Sequence, residues 1–225
     1  CAKEYPYPKT DPPKLSEVFT LSFKYKKFLL CMLLMFFWTF ISNLYNGIWN
    51  YHLLNFLDFS YTLMNAVSVC YTFILVFTQG IWKKILRNHG WVKTFGIAVL
   101  LFAPTEIPMF LMVKETTWMW LPTALIQNTI SLGLNFAYAN IFYMNLPSEK
   151  STVHTVFNSI GCNFFALLGM MTGTFVSSLT GDNTIMFMGL PMYSVQFTTL
   201  ARFVTLGTLG ILLIAKWRAF TPEKD

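Results

Sequence analysis

Residues 28–51 read FLLCMLLMFFWTFISNLYNGIWNY, a run that contains no charged side chain. An α-helix rises about 1.5 Å per residue, so a helix of this length exceeds the roughly 30 Å thickness of a bilayer's hydrocarbon core. Backbone N–H and C=O groups find no water in lipid and must therefore pair within the segment. The stretch predicts a membrane-spanning α-helix and an integral membrane protein.

The composition of the whole chain fits that prediction. Of its 225 residues, 55% are hydrophobic and 12% are charged, and Phe alone occurs 23 times. A soluble domain carries roughly 25% charged residues, so this chain could not cover its apolar surface in water. A net charge of +6 would raise nucleic acid as a partner of a soluble protein. Here the basic residues lie between apolar segments, so they are interpreted as topology signals and no nucleic-acid partner is expected.

Five further stretches share the length and apolar character of the first. Together they predict an all-α integral membrane protein whose transmembrane domain, residues 28–218, has six helices, at 28–51, 61–81, 92–113, 118–144, 153–179 and 195–217. Residues 1–27 hold four prolines among alternating charges. They predict a cytoplasmic linker that ends in an amphipathic segment at the membrane surface. Residues 219–225 form a predicted cytoplasmic tail.

The charges outside the spans predict the orientation of these helices, because cytoplasmic loops carry an excess of Lys and Arg. Basic residues fall mainly in the two terminal segments and in the loops after the second and fourth spans. These residues are Lys3, Lys9, Lys14, Lys24, Lys26, Lys27, Lys83, Lys84, Arg87, Lys93, Lys150, Lys216, Arg218 and Lys224. The opposite side has only Lys114 and Arg202. The sequence therefore predicts a multi-pass protein of a plasma or inner membrane, with both termini in the cytoplasm.

The first and fourth spans carry matching sets of small polar side chains. Each set has the spacing i, i+3, i+7, which places its members on one face of a helix. The sets are Asn43, Asn46 and Asn50 in the first span, and Asn128, Ser131 and Asn135 in the fourth. The two spans run in opposite directions, so the match predicts two three-helix units related as an inverted repeat. Either these side chains join helices by hydrogen bonds, or they form, beside Tyr45 and Trp49, the wall of a substrate cavity; the second interpretation is favoured.

Two charged residues fall within predicted spans. Glu106 lies in the sequence Pro-Thr-Glu-Ile-Pro, and a buried carboxylate in a membrane is by default a functional hypothesis, here a coupling residue. The alternative is that backbone amides freed by the two prolines hydrogen-bond the carboxylate. Arg202 lies near the start of the sixth span. It either extends to the outer interface or pairs with Glu106.

Short motifs occur between and within the spans. A basic loop at 80–93 follows the second span, LPSEK at 146–150 precedes the fifth, and the fifth is rich in glycine. These features resemble the C-terminal half of a major facilitator superfamily transporter. The basic loop is similar to the family's Gly-x-x-x-Asp-Arg-x-Gly-Arg motif, with Gly90 at the final Gly, although Arg87 stands where the family has Asp. The sequence NGIWNY at 46–51 is faintly similar to a Gly-x-Asn stretch of sugar porters.

The resemblance implies a secondary transporter of twelve helices in two halves around a central cavity. This chain would supply the last six helices, its first and fourth spans would line the solute path, and Cys1 would be a cut in a longer chain. The implied partners are the N-terminal half and a small polar solute such as a sugar, with a coupling proton or cation. The alternative is a non-transporting receptor or scaffold of six helices.

No catalytic, metal or cofactor site is predicted. The histidines His52, His89 and His154 are expected in loops or at helix ends, and the four cysteines lack metal-ligand spacing. Hydrolase, metalloprotease and nucleotide-binding motifs do not occur in the sequence, so an enzyme is not expected.

Overall fold

A computed structural model describes residues 14–179, 181 and 183–221, which fold mainly as α-helices. The helices are α1 (Leu15–Lys24), α2 (Lys26–Asn43), α3 (Ile48–Asn55), α4 (Tyr61–Phe102), α5 (Glu106–Phe110), α6 (Trp120–Asn145), α7 (Ser151–Ser178) and α8 (Ser194–Ala215). The strands β1 (Ile185–Phe187) and β2 (Leu190–Met192) form an antiparallel hairpin, which the sequence did not predict. Short 3-10 turns lie at Ala103–Thr105, Lys114–Met119 and Trp217–Phe220. Residues 1–13 of the predicted linker and 222–225 of the predicted tail lie outside the described residues.

Four helical stretches among the described residues are long and apolar enough to cross a membrane. They are Lys26–Asn55, Tyr61–Phe110, Ser151–Ser178 and Ser194–Ala215. The helix α6 has 26 residues and therefore the length to cross, but its polar side chains leave it outside this group. The last three predicted spans coincide with α6, α7 and α8 to within two residues at each end.

The first predicted span is interrupted in its last third. The helix α2 ends at Asn43, α3 begins at Ile48, and Gly47 between them has a φ of +88°. Glycine reaches this left-handed region without the steric cost that a Cβ imposes. The prediction of one continuous helix over 28–51 is therefore corrected. Hydropathy is high on both sides of the break, so a sequence window does not reveal it.

The second and third predicted spans form one long helical stretch that reverses direction at Gly90. This residue has a φ of +73° and is the non-helical position within α4, so the predicted basic loop is helical except at this point. A straight helix from Tyr61 to Phe110 would be roughly 75 Å long. The residues that flank the stretch nevertheless meet, because Lys114 Nζ lies 2.6 Å from Asp58 Oδ2. The stretch therefore folds back on itself, and the third helical segment ends at Phe110 instead of 113.

Contacts between loops gather them at two opposite ends of the molecule. At one end, the Tyr25 hydroxyl donates to Glu149 over 2.7 Å and Lys93 Nζ lies 4.3 Å from the centre of the Trp217 ring. At the other end, the Phe56 and Tyr193 rings are 4.3 Å apart, near the pair of Lys114 and Asp58. The loops predicted to be cytoplasmic thus share the first end, and those predicted to be outside share the second.

Glycines mark where the long helices approach most closely. A Cβ on Gly173 of α7 would collide with the Leu44 carbonyl oxygen, and a Cβ on Gly133 of α6 would collide with the Trp82 ring of α4. A Cβ on Gly210 of α8 would lie 2.9 Å from Leu100 of α4. The segment of α4 before Gly90 therefore packs on α6, the segment after it packs on α8, and α2 packs on α7.

The end of the predicted linker is a helix that docks on the rest of the molecule. Val18 of α1 is buried, and the Phe157 ring of α7 contacts the rings of Phe19 and Phe23. Ser22 Oγ lies 3.0 Å from Nδ1 of His154, a buried side chain in the first turn of α7. These contacts with α7 hold α1 in place immediately before α2 begins.

Candidate functional site

A cavity of about 350 Å³ lies among four helices near the break between α2 and α3. Its wall combines amides, hydroxyls and aromatic rings with apolar side chains, and every lining side chain is uncharged. The lining residues are Tyr45, Trp49, Asn50, Leu53, Met64, Asn65, Val67, Ser68, Tyr71, Met109, Trp120, Ala124, Gln127 and Asn128. The break places Tyr45 ahead of α3, while α4, α5 and α6 supply the remaining walls.

A second cavity, of about 310 Å³, adjoins the first at the helix break. It shares Tyr45, Trp49 and Asn50 with the larger cavity and adds Ser42, Asn46 and Gly47. The Ser42 Oγ is buried without a hydrogen-bond partner among the described residues. The interrupted helix therefore contributes the wall that the two cavities have in common.

The structure brings four of the seven predicted solute-binding residues to these cavities. Trp49, Asn50 and Asn128 line the larger one, and Asn46 lines the smaller one. Asn46 also donates its side-chain amide to Asn43 Oδ1 over 3.2 Å. The interruption of the helix lies between Asn43 and Asn50. The predicted stripe of three amides on one regular helical face is therefore not formed.

The other three predicted residues lie away from the cavity walls. Asn43 Nδ2 donates to the Thr39 carbonyl oxygen over 2.8 Å, and Ser131 Oγ donates to the Gln127 carbonyl oxygen over 2.7 Å, each within its own helix. Asn135 is exposed. The helix α6 rises about 10 Å from Asn128 to Asn135, so Asn135 lies beyond the cavity that Asn128 lines.

Further polar residues of α4 and α6, which the sequence did not predict as site residues, also line the larger cavity. Asn65 and Ser68 are three residues apart on α4, followed by Tyr71, which places them on one helical face. Gln127 precedes Asn128 on α6. The sequence feature that could have predicted them is a polar side chain within an apolar span. This feature occurs in the second span as well as in the first and fourth.

A buried ion pair lies behind the larger cavity. Arg202 Nη2 is 3.1 Å from Glu106 Oε1, and the side chains are 4% and 1% exposed. The Arg202 guanidinium carbon also lies 3.8 Å from the centre of the Tyr45 ring, a cation–π distance. Arg202 therefore points into the protein toward Glu106, as one of the two sequence interpretations held, and not to the outer interface.

This ion pair leaves several polar atoms without hydrogen bonds. Both carboxylate oxygens of Glu106, together with Nε and Nη1 of Arg202, have no hydrogen-bond partner among the described residues. The charges are close enough to attract, but the carboxylate receives no well-aligned donor. Amides freed by Pro104 and Pro108 accordingly do not satisfy Glu106, contrary to the alternative raised from the sequence.

Two chains of contact join the ion pair to the larger cavity. Tyr45 lines the cavity with its ring against the Arg202 guanidinium. Gln127 lines the cavity and donates from Nε2 to Thr105 Oγ1 over 3.0 Å, and Thr105 is the residue before Glu106. Tyr45 and Gln127 therefore connect the wall of the larger cavity to the surroundings of the ion pair.

Comparisons with models of protein families, with curated proteins and with solved structures found no match. Function is therefore inferred from the geometry of the cavity and of the ion pair.

Proposed function

We propose that this chain is a six-span half of a secondary transporter, similar to the C-terminal half of the major facilitator superfamily, and that it moves a small polar solute. The observation that carries the proposal is the uncharged cavity of about 350 Å³ formed where a helix is broken. In membrane transporters, discontinuous helices commonly form the solute site near the bilayer midplane. The N-terminal half of such a transporter would supply the opposite wall of the solute path.

The lining chemistry favours a neutral solute with hydroxyl groups. Asn50, Asn65, Gln127 and Asn128 offer both donors and acceptors, and the rings of Trp49 and others offer apolar faces. A cavity of this size falls at the small end of the range for small-molecule sites. A sugar or a related polyol fits these properties, because a charged solute would lack an opposite charge in the wall.

The packing of the helices supports six crossings arranged as an inverted repeat. The first predicted unit consists of α2 with α3, the part of α4 before Gly90 and the part of α4 after it. The second predicted unit consists of α6, α7 and α8. Exchanging the units converts the contact of α2 with α7 into that of α6 with the first part of α4. The contact of the second part of α4 with α8 is unchanged. An inverted repeat requires this symmetry of contacts.

The ion pair of Glu106 and Arg202 is proposed as the coupling element of the transporter. Charged side chains buried in membrane proteins are costly and are typically retained for function. This pair contacts the cavity through Tyr45 and through Gln127 with Thr105. A solute that moves either cavity residue would change the surroundings of both charges, which is what coupling to a proton or cation demands.

The cavity assignment predicts that Asn128→Leu weakens solute binding. The variant removes a donor and an acceptor from the wall, which costs on the order of 1–3 kcal/mol, or about 5- to 150-fold in affinity. Binding is measured on the purified chain by thermal stabilisation and by tryptophan fluorescence across a panel of neutral monosaccharides and polyols. Trp49 and Trp120 line the cavity and serve as reporters.

Asn135→Leu is the matched control, because it makes the same change on the same helix at an exposed residue outside both cavities. It is expected to bind as the unchanged chain does. The site assignment fails if Asn128→Leu and Asn135→Leu bind alike. The transporter proposal fails if no solute of the panel binds the unchanged chain and the full-length protein shows no saturable uptake, in which case a receptor or scaffold role would replace it.

A further inference from the structure

A third cavity, of about 580 Å³, lies where the chain passes from α1 to α2. It is bounded on one side by Lys24, Lys26 and Lys27 and on the other by the loop from Asn145 to Glu149 that joins α6 to α7. It therefore lies at the end of the molecule that carries the loops predicted to be cytoplasmic, far from the solute cavity at the helix break.

The charge of this cavity is positive. Lys24 and Lys26 lie in the same wall, and among the described residues one carboxylate, that of Glu149, faces them. The Tyr25 hydroxyl donates to Glu149 Oε2 over 2.7 Å and is the main cause of a pKa of Glu149 below its usual value. That carboxylate is thus already hydrogen-bonded to a neighbouring side chain, and an anion that entered the cavity would meet the positive charges of Lys24 and Lys26.

Apolar side chains share the rest of the lining with Asn145 and Ser148, and apolar side chains continue along α2 beyond the cavity. Phe28, Met144 and Leu146 contribute to the wall. Leu30, Leu33 and Phe37 of α2 are 37%, 53% and 41% exposed, at spacings of three and four residues that form one stripe. A basic cavity followed by an exposed apolar stripe matches a molecule with an anionic head and a hydrocarbon tail.

We propose that this cavity binds the phosphate head group of an anionic phospholipid from the inner leaflet, with an acyl chain along the exposed stripe of α2. The inference rests on the membrane orientation in the proposed function but not on solute binding. Basic residues at the cytoplasmic surface attract anionic lipids, and basic pockets beside transmembrane helices bind their head groups. Bound lipid would hold α1 and the loop between α6 and α7 together.

The test measures lipid bound to the purified chain by native mass spectrometry, with phosphatidylglycerol or phosphatidylcholine added in a neutral detergent. We expect preferential retention of phosphatidylglycerol. The variant Lys24→Gln with Lys26→Gln should weaken that retention on the order of tenfold, because each lysine near a surface contributes to anionic-lipid binding. Replacement of the same two residues by Arg should keep it, which separates lost charge from damaged folding.

The matched control is Lys83→Gln with Lys84→Gln, which removes two exposed charges from the same predicted side of the membrane. It should retain phosphatidylglycerol as the unchanged chain does. Equal retention of the two lipids, or equal loss in both glutamine variants, would overturn the proposal. Displacement by inorganic phosphate at similar concentration would instead identify a site for a soluble anion, which also overturns it. A chain that retains the lipid but binds no solute would refute the transporter proposal alone.

Discussion

Glu106 and Arg202 are the residues whose chemistry is hardest to explain as packing. Each is almost fully buried, each depends on the other for its opposite charge, and Tyr45 is the cavity residue in contact with the pair. A buried pair of this kind adds little net stability compared with apolar residues, yet the loss of one member leaves an uncompensated buried charge. Loss of either charge is therefore expected to raise the free energy of the folded chain strongly.

We predict that Glu106→Gln destabilises the chain by about 3–5 kcal/mol, because Arg202 keeps its charge without a partner. Thermal unfolding of the variant in nanodiscs measures the loss. The double variant Glu106→Gln with Arg202→Gln should recover much of it, since both charges are then gone. Lys114→Gln breaks an ion pair of similar length whose side chains are 59% and 72% exposed, and it should change stability little.

A destabilisation of Glu106→Gln no greater than that of Lys114→Gln would show that the buried charges do not depend on each other. In that case the coupling role proposed for the pair would lose its basis.

Some of the residues that the sequence proposed for solute binding line the cavities, and others do not. The sequence located Trp49, Asn50 and Asn128 because amides and a Trp within apolar spans are unusual, and it raised the pairing of Glu106 with Arg202. Asn135 shares the spacing of Asn128 and Ser131 but does not line the cavity, because the cavity meets only the first part of α6. Such a limit comes from the shape of the neighbouring helices and is not encoded in the spacing.

At the scale of helices, close backbone approach determines how α7 is placed against α2. The carbonyl groups of Phe40 and Leu44 lie against Gly169 and Gly173, where any side chain would intrude. Small residues at a spacing of four permit such approach between membrane helices. Because Leu44 lies at the break between α2 and α3, the same contact fixes the wall of the cavity.

We predict that Gly173→Ala destabilises the chain by at least about 1–3 kcal/mol, since an added methyl group overpacks the contact with the Leu44 carbonyl. Gly207→Ala on α8 is the control, because the added Cβ meets nothing within 4 Å and alanine favours helix. Thermal unfolding of both variants measures the difference. Equal melting temperatures would contradict the observed packing of α7 on α2.

Sequence patterns located most of the long helices but not their interruptions. The bounds of α6, α7 and α8 were predicted closely because loops with turn residues or charges flank them. The breaks at Gly47 and Gly90 depend on single backbone angles, to which a hydropathy average over about 20 residues is insensitive. The hairpin at 185–192 has strands of three residues each, too short for a periodic signal.

At the scale of the molecule, the proposed transporter half requires six membrane crossings of alternating direction. Four stretches have the length and apolar character required, and Tyr61–Phe110 folds back at Gly90, so it can cross twice. The helix α6 would be the remaining crossing. Its polar side chains are partly explained by the cavity that Gln127 and Asn128 line.

The most direct test of this arrangement is labelling of single cysteines by a membrane-impermeant maleimide, in a chain whose native cysteines are replaced. The positions Arg87, Trp118 and Lys150 lie on either side of the second part of α4 and of α6. We predict that Trp118→Cys is labelled on intact cells, whereas Arg87→Cys and Lys150→Cys are labelled only after permeabilisation. Labelling of all three positions from one side of the membrane would contradict the six-crossing account.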